Sequence, residues 1–461
     1  MSLISNSKIL RLGAGAGYAG DRIPPAVALA EKGQLDYLIF ECLAERTIAL
    51  AQLEKLKNPR SGYDPLLRAR MLAVLPACLA NGTRIITNMG AANPMQAGRE
   101  VLAVAKELGL QNLNVAVVMG DDVLALLQTD YLSAPLIDST HTVADIQPLL
   151  VSANAYLGAE ALLPALRSEA QVIVCGRVAD PALFLAPLIH HFEWAADNWP
   201  LLGRGVMVGH LLECAAQITG GYFADPGYKD VPNLANLGYP LAEVNERGDV
   251  VITKLPDAGG CVTVQTCTEQ LLYEIENPAE YFQPDVVADF SQVQLTQLAQ
   301  DRVEAKGASG SPRTDTLKVT VGYRDGFVGE GQISYAGPGA KARGQLALAV
   351  VRARLAEAGL GHFEARYDLI GVNAIFGTSH NPGNAATEPE EVRVRIAVRV
   401  DTHAQALAVA NEVEALYTNG PAGGGGASKS TREVIAAASM LIPRSAVQTE
   451  TRLLDRLTEE I

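Results

Sequence analysis

Short apolar runs alternate with amphipathic stretches through the first 280 residues of the chain, and each run closes on a small or polar cluster. Strands are predicted at 8–13, 36–41, 83–88, 113–119 and 171–176. Helices are predicted at 25–33, 65–80, 95–109 and 153–168, then at 181–192 and 204–219. Strand, helix, strand at this spacing means right-handed crossovers and a parallel sheet covered on both faces. The expectation is an α/β fold with an N-terminal doubly wound parallel sheet, Rossmann-like, over residues 1–284. The pattern then changes. Val392, Val394, Ile396, Val398 and Val400 alternate with Arg393, Arg395 and Arg399, as on a half-exposed sheet. With helices at 340–358 and 403–418, a second, α+β domain is predicted over 285–461. Residues 301–315 read as a surface loop.

The strand ends carry the candidate chemistry. The first strand runs into GAGAGYAGDR, where Gly13 opens the stretch and Gly15, Gly17 and Gly20 fit G-x-G-x-x-G. Such glycines let backbone N–H groups approach an anion, with a helix N-terminus behind them. Glu41 ends the second strand, where a nucleotide fold holds a ribose. Pro24 and Pro25 delay the helix, however, since proline belongs in its first turn, and Asp21 sets a carboxylate where a pyrophosphate would lie. Three readings stand: a dinucleotide site, an anion-binding loop with Arg22 as the contact, and a structural turn.

Asn88 to Asn93, Asp121, and Arg177 with Asp180 follow the third, fourth and fifth predicted strands. In open parallel sheets ligands bind beyond those ends. Helix capping by Asp and Asn explains any one of these residues equally well. His210 and Glu213 share a helix face as half a metal site, an acid–base couple or a structural pair. Gly220 and Gly221 reverse the chain and return Asp225 toward His210. Lys254 and Asp257 flank a Gly-Gly turn as a candidate carboxylate and proton site, or as a solvated hairpin pair. In the second domain Gly423, Gly424, Gly425 and Gly426 read as a loop whose backbone touches a ligand or a partner subunit.

Composition narrows the partners. At 461 residues and 48% apolar the chain has room for two cores. A net charge of −14 disfavours nucleic acid and anionic membranes. There is no apolar run of membrane-spanning length, so a soluble cytoplasmic protein is expected. The six cysteines make no C-x-x-C pair and read as reduced, mostly buried thiols. Neither a metal nor a cofactor is predicted.

GAGAGYAGDR, ECLAERT, NMGAANP, GRVADPALFLAPL, GHLLECAAQITGGYFADPG, TKLPDAGGCVTVQTCTEQLLYEI, GQISYAGPGA and GPAGGGGA, taken together, resemble the acyclic terpene utilisation (AtuA-like) family. The resemblance implies catabolism of branched-chain carboxylic acids as coenzyme A thioesters, with CoA entering as part of the substrate. The expected reaction is a hydratase, dehydratase or lyase step. The alternatives are a non-catalytic scaffold subunit of an acyl-CoA-processing complex and a nucleotide-dependent oxidoreductase. The resemblance further implies an additional C-terminal domain in longer members, and hence a small partner subunit here, beside homo-oligomerisation.

Overall fold

The structure is a computed structural model and describes residues 9–137, 139–377 and 388–454. The chain forms two compact units. One comprises residues up to Gly322 together with those from Ala437 onward; the other is Tyr323–Ala436. Residues 285–322 thus join the first unit rather than the second. The reason is a hydrogen-bonded ladder: Arg302–Lys306 pairs with Val250–Lys254 and with Gln294–Ala299, extending the first unit's sheet. The loop expected over 301–315 is therefore largely strand.

Six strands carry the first unit's N-terminal half: β1 (Leu10–Ala16), β2 (Tyr37–Phe40), β3 (Arg84–Thr87), β4 (Val115–Met119), β5 (Leu150–Ala155) and β6 (Val172–Cys175). All but β5 form parallel neighbours in the order β1-β2-β3-β6-β4. β2 and β6 are buried along their whole length, as continuous apolar runs require when both faces are covered. Antiparallel strands extend both edges. Pro240–Val244, Val250–Lys254, Arg302–Lys306 and Gln294–Ala299 continue from β1, and Glu450–Leu454 pairs with β4.

The expected all-parallel, Rossmann-like sheet is thus a mixed sheet. In a dinucleotide fold the first strand lies between two parallel strands, which makes a crevice at its end. Here Pro240–Val244 runs antiparallel on that side of β1. The change of winding falls elsewhere. Helices Pro24–Lys32, Leu67–Asn81 and Pro94–Glu107 pack side by side, and Ala182–Phe192 and Trp199–Glu213 pack together against β1. Pro94–Glu107 follows β3 and Ala182–Phe192 follows β6, its neighbour. Right-handed crossovers send the chain from β3 on toward β4 over one face and from β6 back toward β1 over the other, and a crevice opens between their carboxyl ends.

Other elements depart from the sequence pattern. The helix expected over 153–168 is the end of β5 followed by the short helix Leu163–Leu166, because a brief apolar run without helical period suits a buried strand equally well. Trp199–Glu213 begins earlier than expected, with the Asn198 side chain accepting from Leu201 N at 3.4 Å, and gives way to the 3-10 turn Ala215–Thr219.

The second unit's strand order is Ala365–Ile370, Glu391–Val400, then the stretches of the long strands Thr316–Ala336 and Gly425–Pro443 that lie within Tyr323–Ala436. Val392 to Val400 alternate inward as the pattern predicts, under helices Ala340–Glu357 and His403–Glu414. Arg395 on the other face reaches Glu330 at 2.7 Å and Asp368 at 3.0 Å. This unit is α+β.

Candidate functional site

Four strand ends are stitched together by side chains. Glu41, just past β2, is buried; its Oε1 accepts from Leu43 N at 2.8 Å and from Asn88 Nδ2 at 3.0 Å. Asn88, just past β3, in turn accepts from Cys42 N at 2.7 Å. Past β4, Asp121 Oδ2 accepts from Asn154 Nδ2 and from Arg177 N, both at 2.9 Å. Past β6, the buried Arg177 guanidinium donates to Leu43 O, to Val178 O (Nη2 2.8 Å, Nε 3.2 Å) and to Asp180. Its face lies 4.5 Å from the Tyr156 ring centre. Arg177 is thus a positive centre fixed at the crevice, with its hydrogen bonds directed to the protein.

Helix Trp199–Glu213 brings a second group. His210 Nδ1 lies 2.7 Å from Glu213 Oε1, and both residues are buried. Burial, reinforced by Asp180 and Glu274, raises the Glu213 carboxyl well above the usual carboxylate range. Burial lowers His210 to about 4. Both shifts act in the same sense, toward the uncharged form of each partner. Glu213 Oε2 and Gln270 Oε1 have no hydrogen-bond partner among the described residues, and the His210 ring meets the backbone of Gln270 and Leu271. The imidazole packs against Tyr281 (ring centres 5.5 Å) and Phe290 (5.9 Å).

A cavity of about 570 Å³ opens beside these groups. Asp180 stands in its wall with 39% of its side chain exposed, alongside Glu45, Tyr156, Glu274, Tyr281 and Lys318. Tyr281 both lines the cavity and touches His210, so the His210–Glu213 pair lies one ring behind the wall. Burial would raise Glu45, but the Tyr156 hydroxyl at 2.5 Å, with Lys318 and Arg177, outweighs it and holds Glu45 at about 2. Glu41 moves the other way: burial and then Asp180 raise it well above the ordinary value, against Arg177. Among the described residues no group of three or more His, Cys, Asp or Glu is placed to hold a metal ion.

Of the residues singled out in the sequence, Glu41, Asn88, Asp121, Arg177, Asp180, His210 and Glu213 come together here. The others do not. Gly13 and Gly15 lie inside β1 rather than in a loop, because a Cβ there would meet Leu35 Cδ1 at 2.4 Å and the Phe40 ring at 2.6 Å. Gly17 abuts the Cys214 backbone, where a Cβ would come within 2.4 Å of its carbonyl carbon, and at Gly20 a Cβ would meet the Tyr18 ring at 2.7 Å. Gly17 N–H points to Asp21 Oδ2 at 2.9 Å, so the chain's own carboxylate takes the place a bound phosphate would need. The Tyr239 hydroxyl and Arg22 N–H donate to the other oxygen. The buried Arg70 staples this loop through Tyr18 O, Ala19 O and Asp21 O, and pairs with Asp64 at 3.5 Å.

Arg22 and Asp257 line a separate cavity of about 170 Å³ with Lys32 and Tyr239. Lys254 is buried against Asp301 (3.3 Å) and Ala258 O (2.8 Å), as a structural cation. Asp225 is exposed and closes a turn with Lys229 instead of returning to His210. Asn93 clamps Pro59 O and Ser61 O at 2.9 and 2.7 Å. Gly423 to Gly426 lie in the second unit, where Arg343 holds Ala422 O at 3.0 Å and Arg393 holds Gly426 O at 3.2 Å.

Sequence reasoning missed Glu45, Tyr156, Glu274, Tyr281 and Lys318. Glu45 sits four residues past Glu41 at the start of helix Glu45–Lys57, and that helix start was the available signal. Tyr156 and Lys318 carry no motif.

Among the described residues no helix is long and apolar enough to cross a membrane. All six cysteines are free thiols. No curated protein and no solved structure matches the chain. Residues 10–453, nearly the whole length and including every group of the crevice, match the acyclic terpene utilisation family protein AtuA, and the chain belongs to that family.

Proposed function

We propose that this protein is a catabolic enzyme that adds or removes water, or cleaves a carbon–carbon bond, in a small branched-chain acid or its CoA thioester, by general acid–base chemistry in the Asp180 cavity. One observation carries the reading: a buried, hydrogen-bonded His210–Glu213 pair stands one ring behind a cavity whose wall holds Asp180, itself gripped by Arg177. A catalytic acid or base is recognised by burial and charged neighbours that move its pKa. Burial raises Asp180, opposed chiefly by Arg177. In a hydration, Asp180 takes a proton from water as the oxygen bonds to the β-carbon, and a proton is returned to the α-carbon. His210 and Glu213 hold the reserve proton behind Tyr281. Arg177 supplies positive potential where negative charge develops on the carbonyl.

The test is turnover of branched enoyl and 3-hydroxyacyl thioesters by purified protein. Asp180→Asn and His210→Ala should each lower kcat by ~10²-fold or more, the usual loss for a general acid or base. Unchanged turnover in both variants rules the assignment out. Turnover that appears only after a second protein is added supports the scaffold reading instead.

A further inference from the structure

We infer that the Asp180 cavity takes an uncharged, branched, oxygen-bearing chain, in the form of a neutral thioester or ester, and excludes the free carboxylate and dicarboxylate. This deepens the proposed function and rests on it for the identity of the site. The first observation is charge. The ionisable lining comprises three carboxyls, Glu45, Asp180 and Glu274, two tyrosines and a single ammonium, Lys318. Lys318 already lies 3.3 Å from Glu45 and stacks 4.9 Å over Tyr156. Of the other cations, Arg177 sits behind Asp180 with its donors directed to Asp180 and to the carbonyls of Leu43 and Val178, and Arg444 sits behind the lining residues Pro284 and Thr314, donating to their carbonyls and to Glu160. Glu45, held at about 2, stays ionised at every physiological pH. A carboxylate entering this cavity meets three carboxyls in the lining against a single ammonium, and like charges brought together in a partly desolvated site repel strongly.

The second observation is apolar surface. Three large hydrophobic side chains on the cavity wall are exposed: Ile137 (42%), Phe282 (58%) and Leu441 (52%). Ala179, Pro181, Pro284 and Leu317 continue the lining inward. Clustered exposed apolar groups around a cavity mark a place where apolar ligand surface is buried. The third is backbone strain. Glu274, whose side chain stands in the same wall, keeps a positive φ of 59°. A non-glycine residue holds that conformation at a cost, and such strain concentrates at functional sites. Together these favour a chain that is apolar along its length and carries a neutral carbonyl or hydroxyl as hydrogen-bond partner for Asp180 and Tyr281.

The experiment is titration calorimetry of the full chain at pH 8 with three probes. These are the N-acetylcysteamine thioester of a branched C5 enoic acid, the same acid free, and 3-methylglutarate. The thioester should bind at least tenfold more tightly than either free acid. Glu274→Gln removes one negative charge without removing a wall, and should tighten the free acids by about tenfold while changing thioester affinity little. The inference is overturned if either free acid binds wild type as tightly as the thioester, or if none of the probes binds. Thioester binding without turnover upholds the inference and sinks the proposed reaction. Free-acid binding with turnover does the reverse.

Discussion

Asp121 offers the sharpest test of how the crevice is held. It is 4% exposed, and burial raises its carboxyl to about 6, against the hydrogen bonds from Arg177 N and Asn154. In the unfolded chain an aspartate titrates near ~3.9. Below pH ~4 both states hold the proton and there is no difference between them. As pH rises from about 4 to about 6 the unfolded state ionises first, so stability falls; above pH ~6 the full difference is present. Two units at about 1.36 kcal/mol each make roughly 3 kcal/mol. Asp121→Asn removes this titration at almost constant shape. Both donors converge on Oδ2, which the amide oxygen can replace.

The two tryptophans, Trp194 and Trp199, both lie in the first unit, so their fluorescence in urea reports that unit's unfolding. Between pH 4 and 7 the stability of Asp121→Asn should rise relative to wild type by about 3 kcal/mol. The reasoning fails if the two stability curves run parallel across that window.

Further substitutions probe the surroundings. Arg70→Met should cost about 3–5 kcal/mol, because it leaves Asp64 buried without its cation; adding Asp64→Asn to it should recover part of the loss in the same urea titration. Gly17→Ala places a Cβ 2.4 Å from the Cys214 carbonyl carbon, a backbone clash that should cost ~1–3 kcal/mol. Cys214 follows Glu213, so this variant should also lower turnover in the assay proposed for His210→Ala. An unchanged melting temperature in Gly17→Ala would refute the close approach of these two segments.

How much of this was legible in the chain divides along physical lines. The ends of β2, β3 and β6 could be read because a buried parallel strand must be a short apolar run, and the first polar residue past it must face the crevice. Glu41, Asn88 and Arg177 follow from that rule. The His210–Glu213 contact follows from helical spacing alone. Gly13 and Gly15 misled because glycine has two causes: room for a ligand, or room for a neighbouring side chain. Here Leu35 and Phe40 fill the space. Pairing of distant strands has no local signal, so neither the antiparallel strand beside β1 nor Glu450–Leu454 beside β4 could be foreseen. For the same reason Tyr156 and Lys318, which meet only in the fold, passed as ordinary residues.

The balance of charge around Arg177 separates architecture from chemistry. Glu41, Glu45 and Asp180 all act on its guanidinium, and Glu213 feels its charge in turn. A fold selected only for stability would not bury Glu41 and Glu213 at raised pKa, since each disfavours the folded state as pH rises. Asp121 carries the same burden, but it has two well-formed hydrogen bonds and a clear structural role, which is to place the Arg177 backbone. Glu41 likewise joins two strand ends. Glu213 joins nothing of the kind. One of its oxygens meets His210 and the other meets no donor, while Gln270 Oε1 is left without a partner beside it. Buried polar atoms left unpaired are rare in a well-packed interior, and a water or a reacting group is the usual remedy. Two such atoms on neighbouring residues, one ring behind a cavity walled by Asp180, are costly as architecture. That asymmetry, rather than the glycine loop at the head of the chain, is the ground for assigning the chemistry to the β3–β6 crevice.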